Sequence, residues 1–117
     1  MEFDRKELLK EYDSVGDLFY EGLIQVCKNK KWFHILPNGK PAYEERYDWV
    51  GDFHEGLARA WKDNEAFHIC KDGKPAYKER YYWVGDFSLD GIAKVLVFPP
   101  KDDKELYINK DGTRVQK

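Results

Sequence analysis

Residues 33–53 read FHILPNGKPAYEERYDWVGDF and residues 67–87 read FHICKDGKPAYKERYYWVGDF, identical at 16 of 21 positions and 34 residues apart. A match of that length is internal duplication, and any fold for this chain has to satisfy its period. Cutting before each repeated tyrosine gives unit one at 12–46, unit two at 47–80 and unit three at 81–117, with residues 1–11 ahead of them. Units one and three carry one extra residue in a shared motif, GDLFYEG and GDFSLDG against GDFHEG. Unit three also has the longer loop FPPKDDKE where unit two has KDNE, and it ends DGTRVQK where the others continue GKPAY, as a terminal copy does.

A period near 34 also suits paired helices, so the pattern inside the unit has to decide. Each unit holds two short alternating runs separated by turn residues, for example LARAW, KDNE, AFHIC and KDG, which is the signature of a β-hairpin. Asn38-Gly39, Asp72-Gly73 and Asp111-Gly112 share one repeat position and are expected to supply the positive φ values of a tight hairpin turn. Pro41 and Pro75 follow, which confines PAY to a short third strand at an edge. Near the N-terminus, Asp4 and Glu7 form a capping box and Phe3 and Leu8 a hydrophobic staple, so residues 4–11 are expected to form a helical cap.

Strand alternation assigns the faces. Ile24 and Val26, Ala58 and Ala60, Ala93 and Val95 point inward in the first run, opposite Gln25, Arg59 and Lys94. In the second run Phe33 and Ile35, Phe67 and Ile69, Leu106 and Ile108 point inward. His34, His68 and Tyr107 are then expected on a polar outer face. In the Val-Gly-Asp-Phe motif at 50–53 and 84–87, the glycine is read as a backbone device, the aspartate as a partner for nearby amides and the phenylalanine as a core plug. Calcium ligation by Asp52 and Glu55, or by Asp86 and Asp90, has the wrong spacing for a standard loop. Glu45-Arg46 and Glu79-Arg80 are expected as solvated pairs of little energetic weight.

Trp49 and Trp83 repeat, with Ser14 at the same place in unit one, and are read either as packing between units or as contact surface for a partner. Trp32 and Trp61 do not repeat; Trp61 shares a strand face with Arg59, which offers a cation–π pair or an adhesive exposed patch. The candidate partner-binding residues are therefore Trp61, Arg59, Trp49, Trp83, Trp32, His34 and His68. No catalytic residue and no metal site is assigned: two histidines do not close a zinc site, and there is no HExxH, paired CxxC, phosphate loop or nucleophile elbow.

Twenty basic and twenty-two acidic residues, interspersed, leave no footprint for nucleic acid or an anionic membrane. No segment has the length of a membrane span, MEFDRKELLK has no signal-peptide core, and Cys27 and Cys70 occupy different repeat positions, which together point to reduced thiols in a cytoplasmic protein.

The string GLARAWKDNEAFHICKDGKPAYKERYYWVGDF, with Lys31-Trp32, Asn38-Gly39-Lys40 and Tyr47-Asp48, resembles the WG-repeat (KWG-type) proteins, found mostly in bacteria. The resemblance covers residues 12–117, although Trp32 is followed by Phe33 rather than by the glycine that names the family. It implies a β-rich repeat architecture and no settled activity. The resulting expectation is an all-β domain over 1–117, made of three tandem antiparallel β-hairpin repeats of about 35 residues in a row behind a short N-terminal helical cap. A non-enzymatic protein–protein interaction module, of inhibitor, immunity or scaffold type and without cofactor, is the leading reading. An aromatic groove binding a small ligand or carbohydrate is the alternative.

Overall fold

A computed structural model describes residues 5–97 and 106–116. Within them the chain is mostly antiparallel β-sheet with one short helix, α1 (Arg5–Glu11). The expected cap Asp4, the staple residue Phe3 and the loop at 98–105 lie outside the described residues. Arg5 holds α1 against the first sheet, its guanidinium donating to the carbonyls of Val15 (2.9 Å) and Gly16 (3.0 Å), while Leu8 packs on the core.

The first sheet runs β1 (Ser14–Val15), β2 (Ile24–Lys28), β3 (Lys31–Ile35), and the second β4 (Trp49–His54), β5 (Leu57–Lys62), β6 (Glu65–Ile69). The third runs β7 (Trp83–Val84), β8 (Ala93–Leu96), β9 (Leu106–Ile108), β10 (Arg114–Val115). Each is a meander in which chain neighbours pair. The expected two-stranded hairpins are thus corrected: the stretch leading into Gly-Asp-Phe is itself a strand, pairing Val15 with Val26, Val50 with Ala60 and Val84 with Val95. The expected PAY strand reduces to single bridges, Pro41 to Ile35 and Pro75 to Ile69, because proline has no N–H to extend the ladder. Where the third sheet has Arg114 in that place, the pairing continues as β10.

Turn chemistry also differs from expectation. Among the Asn-Gly and Asp-Gly pairs only the glycines take positive φ: 86° at Gly39, 84° at Gly73 and 89° at Gly112. Gly39 donates to Leu36 O (2.8 Å) and Leu36 to Lys40 O (2.9 Å), which makes a three-residue loop ending in a glycine bulge. In the β2–β3 and β5–β6 hairpins, two-residue turns with both residues at positive φ fall instead at Asn29-Lys30 (55° and 67°) and Asp63-Asn64 (54° and 66°). Each is braced by the aspartate after the repeated tyrosine, since Asp13 accepts from the Asn29 amide (2.9 Å) and Asp48 from the Asp63 amide (3.0 Å).

The inward faces follow the alternation: Ile24, Val26, Phe33, Ile35, Ala58, Ala60, Phe67, Ile69, Ala93, Val95 and Ile108 are all buried. His34 and His68 do lie on the opposite face, but that face is not solvent: both are 0 % exposed. The Phe53 ring sits 4.5 Å from His34 and the Phe87 ring 4.5 Å from His68, each phenylalanine arriving from the following sheet or its approach. His34 Nε2 lies 2.8 Å from Gly51 O and its Nδ1 2.6 Å from the Tyr43 hydroxyl. His68 repeats this with Gly85 O (2.7 Å) and Tyr77. A carbonyl only accepts, so Nε2–H donates to it and the tyrosine hydroxyl donates to Nδ1, which fixes one neutral tautomer. Burial pushes both imidazoles down to about 4.

The tyrosines complete the link between sheets. A Cβ on Gly73 would lie 2.3 Å from the Tyr43 ring, so that glycine exists to seat it, and Tyr47 O–H donates to Gly73 O. Gly112 seats Tyr77 in the same way, with a Cβ at 2.6 Å. Arg46 and Arg80 are not the solvated Glu-Arg pairs expected. Their guanidinium carbons lie 3.7 Å from the Phe33 ring centroid and 4.0 Å from that of Phe67. Each also donates to three consecutive carbonyls, Tyr43 to Glu45 and Tyr77 to Glu79, so arginine shapes the loop it belongs to.

Two predictions follow from this packing. Unfolded histidine titrates near 6.5 and the folded rings near 4, so between those values the unfolded chain binds more protons and stability falls as pH falls. The expected loss is about 2 kcal/mol per histidine by pH 5, partly offset by Asp52, whose carboxyl is raised by burial. Urea midpoints at neutral pH and pH 5 measure it, and a flat profile would contradict neutral, buried rings. Second, Gly39 and Gly73 share positive φ, yet only Gly73 is covered. Gly39→Ala is expected to cost about 1 kcal/mol and Gly73→Ala about 3 kcal/mol or more, since the second also displaces Tyr43; equal shifts in melting temperature would remove tyrosine from that seat.

Candidate functional site

The outward residues of β5 build a compact aromatic and charged surface. Trp61 lies opposite Trp49 across the β4–β5 ladder, and their rings meet edge to face at 5.9 Å and 63°. Trp49 needs Gly51 beside it: a Cβ there would stand 2.9 Å from the indole, and Gly85 leaves the same room for Trp83 at 3.1 Å. This replaces the expected reason for the motif glycine, since neither Gly51 nor Gly85 has positive φ. The sequence signal was present as Trp-Val-Gly, two residues of one strand face with a ring and a gap.

Arg59 caps the pair. Its guanidinium carbon is 5.2 Å from the Trp49 ring centroid, so the cation–π partner is Trp49 rather than the expected Trp61. Arg59 Nε also lies 3.0 Å from Asp86 Oδ1, and His54 Nε2 3.8 Å from Asp86 Oδ2, which ties the second sheet to the approach of the third. The aspartates of the Gly-Asp-Phe motif therefore make charge contacts rather than the expected amide bonds. Asp52 stands between them: burial raises its carboxyl, Asp86 and Asp17 raise it further, and His54 and Arg59 draw it back. Asp52 is thus close enough to feel both of the aspartates that share its repeat position.

Of the seven candidate residues, Trp49, Trp61 and Arg59 come together, all half-buried and all reachable. Trp83 is half-buried on the first strand of the third sheet and Trp32 on the last strand of the first sheet, Trp32 pairing with Cys27 and bridging Tyr47. His34 and His68 have no exposed surface, so they are withdrawn as contact residues; they carry the seam between sheets instead. Glu55 turns to Lys110 (3.8 Å) and Asp86 to Arg59, and among the described residues no group of three or more His, Cys, Asp or Glu is placed to hold a metal ion. No helix among the described residues is long and apolar enough to cross a membrane.

An open cleft of about 410 Å³ lies elsewhere, at the α1 end, lined by Tyr12, Phe33, Gly39, Pro41, Arg46 and the β2–β3 turn. Its lining contains no tryptophan.

No curated protein and no solved structure matches the chain. A family model described as the WG-containing repeat matches twice, over residues 5–32 and 37–65. The two matches begin 32 residues apart, each spanning an approach to Gly-Asp and the strand that follows, which are the elements superposed by the duplication in the sequence. The chain belongs to the WG-containing repeat family.

Proposed function

We propose that this chain is a non-enzymatic protein–protein interaction module, built as three copies of a unit of about 35 residues set in a row, whose contact face is centred on Trp49, Trp61 and Arg59. The extents of 45 × 27 × 21 Å and the seams from sheet one to two and two to three support the row. The observation that carries the function is the half-exposed tryptophan pair roofed by an arginine on an outer sheet surface. Large rigid aromatics and arginine are the residues that dominate binding energy at protein interfaces. Trp83, at the repeat position of Trp49, and Trp32 are further candidates for contact. A cytoplasmic setting is part of the proposal, supported by two free thiols, one of them buried.

A non-catalytic role is supported by the state of the nucleophile and base candidates. Both ring nitrogens of His34 and of His68 are engaged in the seam, and burial raises the Cys70 thiol, which leaves less thiolate for chemistry. The carbohydrate-groove reading gains no observation, because the tryptophans form part of a sheet surface and the cleft holds none of them.

Quantitative affinity capture from host lysate tests the proposal, with wild type beside Trp61→Ala, Arg59→Ala and, as a control, Leu89→Ala, at a side chain 91 % exposed. Melting temperatures certify that each variant is folded. The expected result is one protein captured near stoichiometrically by wild type and Leu89→Ala and reduced about tenfold or more by the other two. Equal capture by all four would take the tryptophan face out of the interaction.

A further inference from the structure

The cleft at the α1 end has two filled counterparts inside the same chain. At Gly73, the ring of Tyr43 packs against the glycine backbone while Tyr47 meets Phe67 edge to face at 5.8 Å. At Gly112, Tyr77 takes the place of Tyr43, and Glu79 Oε1 would lie 3.1 Å from a Cβ on that glycine. Each socket is a glycine at positive φ, filled by a tyrosine from the loop of the preceding unit, with an acidic side chain two residues beyond that tyrosine.

Gly39 is the corresponding glycine of the first unit, at φ 86°, and among the described residues nothing lies within 4 Å of its Cβ position. Half of its socket is complete. Tyr12 stands where Tyr47 stands and meets Phe33 edge to face at 6.0 Å; Arg46 covers Phe33 as Arg80 covers Phe67. Among the described residues, the part without a counterpart is the ring that covers the glycine. In the repeat count Tyr43 corresponds to Leu8, but Leu8 is carried on α1, where it packs on the core and does not line the cleft. The result is the 410 Å³ opening between Tyr12, Phe33, Gly39 and Pro41.

We propose that this opening is a receptor for a tyrosine presented by another polypeptide, in a segment with the chemistry Pro-Ala-Tyr-x-Glu. The aromatic preference follows from Tyr43 and Tyr77, which fill the equivalent sockets. The acidic preference follows from the rim, where Lys28, Lys31 and Arg46 outnumber Glu11. Lys31 is engaged by Asp48 at 2.7 Å and Arg46 by Phe33 and three loop carbonyls, so Lys28 is the rim cation that meets the incoming carboxylate. This site is separate from the tryptophan face, and either can fail without the other.

The probe is the acetylated, amidated peptide GKPAYEERY, the chain's own residues 39–47, titrated into the intact protein and followed by amide and aromatic NMR shifts. The expected result is saturable binding at millimolar peptide or below, with shifts gathered on Tyr12, Lys28, Phe33, Gly39 and Arg46. The peptide with alanine for its first tyrosine is expected to bind about tenfold or more weakly. Gly39→Ala, which puts a methyl where the ring would lie, is expected to abolish binding. Lys28→Glu, at an exposed residue, is expected to weaken it and to flatten its dependence on salt. No shifts at millimolar peptide, equal binding of the alanine peptide, or shifts centred on Trp49 and Trp61 would overturn the proposal. Sedimentation that shows self-association lost in Gly39→Ala, without peptide binding, would overturn it in favour of a second copy as occupant.

Discussion

Everything in this molecule depends on a buried imidazole that reaches from one sheet to the backbone of the next. Sheets of three or four short strands cannot each enclose a core; the wall that closes one has to come from its neighbour. His34 donating to Gly51 O and His68 donating to Gly85 O set the distance and register at which that wall arrives. Tyr43 and Tyr77 hold the rings from the other side and then seat themselves on Gly73 and Gly112. A neutral histidine suits the role because one ring both donates and accepts along a fixed line. Its cost is sensitivity to acid, since the protonated ring is penalised in that environment.

The aromatic content takes a different meaning once the sheets are assembled. Read as composition, 16 % aromatic residues suggests an excess available for a partner. Most of that excess is internal. Tyr12, Tyr43, Tyr47, Tyr77 and Tyr81, with Phe33, Phe53, Phe67 and Phe87, are buried, and they are concentrated where one sheet meets the next. What remains for contact is a smaller set, the half-buried tryptophans together with the exposed Tyr20 and Tyr82. The two proposed contacts lie on the outer surface of the second sheet and in the cleft at the α1 end.

The two central runs of each unit, their inward faces and a helical N-terminal segment were legible in the sequence, the strands because they follow from local periodicity. The side of β3 and β6 that carries His34 and His68 was also legible; its burial was not, because alternation reports which face a residue is on and says nothing of what covers that face. The same gap hid the seats at Gly73 and Gly112, whose partners lie 30 and 35 residues away. Ser14–Val15 and Trp83–Val84 escaped as strands because two residues carry no period, and Trp49–His54 because a register shift between Val50 and Phe53 breaks its alternation. In the candidate site, the proximity of Trp61 and Arg59 on one face was readable, but Trp49 as the ring under Arg59 required the β4–β5 register. Asp86 as the counter-charge required the third sheet's approach.

The most direct measurement is the protonation and tautomeric state of His34 and His68 by long-range ¹H–¹⁵N correlation in the imidazole rings, followed from neutral pH downward. The account predicts two rings in the neutral Nε2–H form at pH 6, with protonation held off toward pH 4. Rings that titrate near 6.5, or that carry the proton on Nδ1, would contradict the seam on which the arrangement of the three sheets rests.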